Sequence, residues 1–140
     1  METVQRFGWL LMQVLNGLTY SAWVSATVLI VVVLALFVRR PRHDQSFRRL
    51  LRFAALLLLL PMVLIFVAAV FANEDPYRAV SPVREQLVLA AFVLNVLLAL
   101  TLVVVGRAQI WRAVAFSLAN IWVGMWSAFI AVMSVTGNWL

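Results

Sequence analysis

Long apolar runs dominate this chain, separated by short clusters of charge, proline and glycine, and none of them alternates polar with apolar positions. Four runs stand out, at roughly 10–38, 50–72, 86–105 and 110–135. Each reaches or exceeds the ~20 residues that an α-helix needs to cross about 30 Å of hydrocarbon, whereas a β-barrel strand would alternate over about ten residues. The pattern predicts an all-α integral membrane protein: one membrane domain over 1–140, with four transmembrane helices in an up-down bundle.

As a single helix, the run 10–38 would be about 43 Å long, more than a bilayer requires without strong tilt. Asn16-Gly17 lies within it, which leaves two readings: one long span, or an interfacial helix from about Val4 to Leu15 followed by a span from Leu18. No basic segment precedes the run, and it is longer than the apolar core of a signal peptide, so it reads as a retained span.

Charge then orients the spans. All eleven basic residues are Arg, against five acids, for a formal net charge of +6. Arg39, Arg40, Arg42, Arg48, Arg49 and Arg52 follow the first run, and Arg107 and Arg112 sit in the tight turn at 106–112, with Asp44 as the one acid among them. The opposite connections hold Arg6, Arg78 and Arg84 against Glu2, Glu74, Asp75 and Glu85, so the charge divides into about +7 on one side and −1 on the other. Because basic loops stay in the cytoplasm, 39–49 and 106–112 are expected inside and both termini outside. The basic residues at 39–52 are candidates for anionic head-group or partner contact, and this membrane setting argues against nucleic acid. Arginine replacing lysine throughout suggests a GC-rich coding sequence and a bacterial inner membrane.

Local signals mark the same boundaries. Pro41 ends the first run, and Ser81-Pro82 offers an N-cap followed by a first-turn proline for the third. Trp9, Trp111 and Trp139 are candidate interfacial anchors. Pro61, in the middle of the second run, predicts a kink.

The sharpest periodic signal is in the last run, where Ser117, Asn120, Gly124, Ser127, Ala131 and Ser134 recur every three or four residues. In lipid, small side chains let helix backbones approach, and polar ones add interhelical bonds of roughly 0.6–2 kcal/mol. This seam is expected to pack against another helix, and Asn95 is placed to meet Asn120 across an antiparallel pair. Gly17, Ser21 and Ser25 repeat the device in the first run. The opposite face of the last run presents Trp122, Met125, Trp126, Phe129 and Met133, either an apolar surface toward lipid or a partner, or an aromatic pocket.

The segment Leu11-Met12-Gln13-Val14-Leu15-Asn16-Gly17-Leu18-Thr19-Tyr20 resembles the opening of the first span of branched-chain amino acid importer permeases. The likeness covers ten residues and ends before the valine run 31–33, so no activity is carried over from it.

Missing residue types narrow the function classes. There is no cysteine, no lysine and one histidine, His43, which removes thiol chemistry, Schiff bases and bis-His haem ligation. No ionisable residue falls mid-span, as proton relays and voltage sensors require. No nucleotide-binding, zinc-protease or nucleophile-elbow motif is present, so no catalytic or metal site is expected and any haem, pigment or quinone would be held mainly by partner subunits. The expectation is a non-catalytic accessory or assembly subunit of a larger respiratory, photosynthetic or transport complex, in contact with other membrane subunits and anionic lipids. The alternatives are a small homo-oligomeric channel or transporter and, behind it, a holin-type pore former.

Overall fold

The computed structural model describes residues 2–37, 45–72 and 82–137. Five α-helices account for nearly all of them: α1 (Thr3–Tyr20), α2 (Ala22–Phe37), α3 (Gln45–Val70), α4 (Pro82–Val105) and α5 (Ile110–Thr136), with a 3₁₀ turn (Arg107–Gln109) before α5. Segments including α3, α4 and α5 are long and apolar enough to cross a membrane, and α1 with α2 supplies a fourth if that bent pair is one span. Of the positions singled out in the sequence, Arg39, Arg40, Pro41, Arg42, His43, Asp44, Glu74, Asp75, Arg78, Ser81 and Trp139 lie outside the described residues.

The first apolar run is not one straight helix. Its axis turns by 88° between α1 and α2, and the break falls at Ser21, four residues beyond Asn16-Gly17. A sharp break leaves last-turn carbonyls without helical donors. Here the Ser25 hydroxyl donates to the Leu18 carbonyl at 2.7 Å, and the Gly17 carbonyl, which still accepts the Ser21 backbone N–H at 3.1 Å, also accepts the Ser21 hydroxyl at 2.8 Å. The Gly17–Ser21–Ser25 row therefore serves the corner.

α5 is the hub, packing against each of the other four helices. α3 presents one buried stripe, Leu50, Ala54, Leu57, Pro61, Leu64, Ile65, Ala68 and Ala69, and the helix runs through Pro61 without interruption. α4 buries Val88, Asn95, Ala99 and Leu102, while Leu87, Leu89, Val93, Leu97 and Leu100 remain exposed, as suits a helix with one face to lipid.

Two apolar clusters result. One, around Leu50, Ala54, Leu57, Leu102 and Ala113, fills the end where the 3₁₀ turn meets α3. The other, around Leu10, Val14, Ile65, Ala68, Val88 and Ala131, fills the opposite end, where α1 crosses α3 and α5. Gly137, at φ 73°, closes α5 with a left-handed residue whose N–H returns to the Met133 carbonyl, a conformation glycine adopts without steric cost.

Candidate functional site

The six seam residues of α5, Ser117, Asn120, Gly124, Ser127, Ala131 and Ser134, are all buried. Their partners lie on two helices. Ser117 donates to the Ala99 carbonyl of α4 at 2.6 Å, and Ser134 to the Ala68 carbonyl of α3 at 3.3 Å. One turn after Ser117, Asn120 Nδ2 donates to Asn95 Oδ1 at 3.0 Å. The seam thus bonds with α4 through its first half and with α3 near its end.

Gly124 is required by this packing. A Cβ at that position would overlap Asn95 Nδ2, so the amide lies directly over the glycine backbone. The exchange is incomplete, because Asn95 Nδ2 and Asn120 Oδ1 are both buried without a hydrogen-bond partner. Such groups cost roughly 1–3 kcal/mol each when left unmet.

Asn95 and Gly124 also line a cavity of about 190 Å³ between α3 and α4. Pro61, Leu64, Val88 and Phe92 contribute apolar walls, and Arg84 and Phe71 belong to the same lining near one helix end. Arg84 sits 5.7 Å from the Phe71 ring centre. Neither Pro61 nor Arg84 stood out in the sequence as part of a site, because the cavity exists only once α3 and α4 are side by side.

The aromatic face of α5 is largely covered by the chain's own first two helices. Trp122 donates through Nε1 to the Ser25 hydroxyl at 3.0 Å, and the Trp126 ring occupies the space over Gly17. Trp126 meets Trp122 and Phe129 edge to face, at 6.4 and 5.8 Å between ring centres. Met125 and Phe129 alone of this face stay exposed, so the expected lipid- or partner-facing surface shrinks to a strip beside α2.

Arg112 has a different setting from the other basic residues. Expected in a basic connection, it is 6% exposed and lies in the first turn of α5. Its Nε donates to the Ala35 carbonyl at 3.0 Å, its Nη1 to Gln109 Oε1 at 2.9 Å, and its guanidinium lies 4.9 Å from the Phe47 ring centre. It therefore neutralises the carbonyl-rich C-terminal turn of α2 while tying α2, α3 and α5 together. Arg48, Arg49, Arg52 and Arg107 are exposed at the same end. Trp111 is 75% exposed there, and Trp9 is 43% exposed on α1. Glu85 lies in the first turn of α4, where a negative charge favours the helix N-terminus.

No group of His, Asp and Glu suited to a metal ion occurs among the described residues. Compared with known protein families, with curated proteins and with solved structures, the chain matches none.

Proposed function

We propose that this chain is a non-catalytic accessory or assembly subunit of a larger integral membrane complex, seated in a bacterial inner membrane with α3, α4 and α5 as three spans and the bent α1–α2 pair supplying the fourth crossing through α2. In this reading α1 lies in the interface on the outer side, both termini are outside, and the basic end carrying Arg48, Arg49, Arg52 and Arg107 faces the cytoplasm. The 88° turn supports the placement of α1, since a helix perpendicular to a span lies in the membrane plane. Its exposed polar residues Gln5, Asn16 and Thr19, and Tyr20 and Trp23 flanking the corner at 93% and 91% exposure, suit that level.

One observation carries the accessory reading: Ser117, Asn120, Ser134, Trp122 and Arg112 spend their hydrogen bonds on joining helices. A residue set used this way builds a scaffold. α2 adds a contact surface, for none of its residues is buried within the chain. The test is purification of the tagged full-length chain from its native membrane in mild detergent. Co-elution of a stoichiometric set of other membrane subunits is the expected result. A species containing only this chain, with ion or solute flux in liposomes, would replace the accessory reading with that of a homo-oligomeric channel. Reporter fusions after Ser46 and at Leu140 test the orientation, with a cytoplasmic signal expected at the first and an external one at the second.

A further inference from the structure

We propose that the cavity between α3 and α4 binds a bilayer-soluble carbonyl compound of the quinone class, its ring held in the cavity and one carbonyl oxygen accepting a hydrogen bond from Asn95 Nδ2. This goes beyond the accessory role and does not depend on it.

Three features converge on that chemistry. The first is the donor. Asn95 is 4% exposed, lines the cavity, and has an Nδ2 group with no partner in the protein. A buried amide in that state is stabilised by any acceptor delivered to it. Water is a poor candidate, because it needs two to four polar partners and the other lining side chains near Asn95 are apolar.

The second is size. A cavity of about 190 Å³ exceeds the roughly 150 Å³ that holds a benzene ring in an engineered apolar cavity, leaving room for ring substituents. Phe92 offers an aromatic wall, and Pro61 and Leu64 an aliphatic one. The third is access: Val63, Val67, Leu87 and Leu94 line the cavity and are also exposed on the outer surface of the bundle, so an alkyl or prenyl tail can leave between α3 and α4 into lipid.

The distance along α4 separates this ligand from an ordinary phospholipid. Arg84 and Asn95 are eleven residues apart, about 16 Å of helix rise. A glycerolipid with its phosphate at Arg84 keeps its ester oxygens within a few ångströms of that phosphate. Only methylenes would then reach Asn95, and the amide would stay unpaired.

The experiment uses the full chain in phosphatidylcholine nanodiscs, titrated with decylubiquinone and corrected for partition into empty discs. Saturable binding at one ligand per chain is expected. Asn95→Ser, which shortens the donor, should weaken it about five- to ten-fold, the loss of one hydrogen bond. Ala91→Trp fills the cavity from an exposed position on α4, one helical turn before Asn95, and should remove binding while the protein keeps its melting temperature. Decylbenzene, with the same tail and no carbonyl, should bind at least five-fold more weakly. The proposal is overturned by an absence of saturable binding, by binding that survives Ala91→Trp, by equal affinity for decylbenzene, or by dioleoyl phosphatidylglycerol displacing decylubiquinone from the site.

Discussion

The six-membered ring of Trp126 occupies the space that a Cβ at Gly17 would fill, so α1 and α5 touch backbone against indole. This contact locks the first helix across the bundle rather than along it. Gly17→Ala should therefore displace α1 and destabilise the protein by about 1–3 kcal/mol, the usual cost of overpacking. Trp126→Leu should also destabilise, because the ring is covered by the chain itself. The double variant should be less destabilised than the sum of the two, since a smaller residue at 126 makes room for the added methyl. Thermal unfolding of the purified protein in detergent reads all three, and strict additivity would mean that the two positions do not share a contact.

Gly124→Leu should prevent assembly of the bundle, whereas Gly124→Ala should leave it folded but weakened. Both side chains start from a Cβ that collides with Asn95 Nδ2, and the larger one also meets Phe92. The end of an amide can retreat from one methyl but not from an isobutyl group. Size-exclusion elution and melting temperature in detergent check the ranking; a Gly124→Leu protein as stable as the parent would rule out the close approach of α4 and α5.

The asparagine pair should show coupling in a double-mutant cycle. Asn95→Leu or Asn120→Leu alone leaves the surviving amide buried and unmet, which costs about 1–3 kcal/mol. Removing both takes away the polar groups together, so the double variant should be closer to the parent than the singles imply, with a coupling of roughly 0.6–2 kcal/mol. Equilibrium unfolding in mixed micelles measures each corner of the cycle.

Arg112→Lys should behave much more like Arg112→Ala than like the parent. A lysine keeps the charge but cannot donate at once to the Ala35 carbonyl and to Gln109 while stacking on Phe47. A loss of about 1–3 kcal/mol is expected for either variant. Arg107→Lys, at an exposed position in the neighbouring turn, serves as the control and should change stability by less than about 0.5 kcal/mol.

Much of the bundle was legible along the chain because hydropathy acts locally. The runs at 50–72, 86–105 and 110–135 correspond to α3, α4 and α5 with ends shifted by up to five residues, since a helix extends into polar flanks as long as its backbone bonds are met. Pro82 opens α4, as its fixed φ and missing N–H permit. The 117–134 row was legible for a related reason: small and hydroxylic residues at three- and four-residue spacing occupy one face of any α-helix, whatever surrounds it.

The sequence by itself determined the membrane character, the helix-forming runs and the polar row on α5, because composition and period are properties of the chain alone. Tertiary structure decided the bend at Ser21, the covering of Trp122 and Trp126 by α1 and α2, the burial of Arg112 and the cavity at Asn95. Each of these depends on which of several equally apolar surfaces meet. In lipid, burial of apolar area does not distinguish one such pairing from another, and close packing and hydrogen bonds do. A glycine opposite an indole, or an arginine beside the carbonyl of a helix 77 residues away in sequence, has no signature until the helices are assembled.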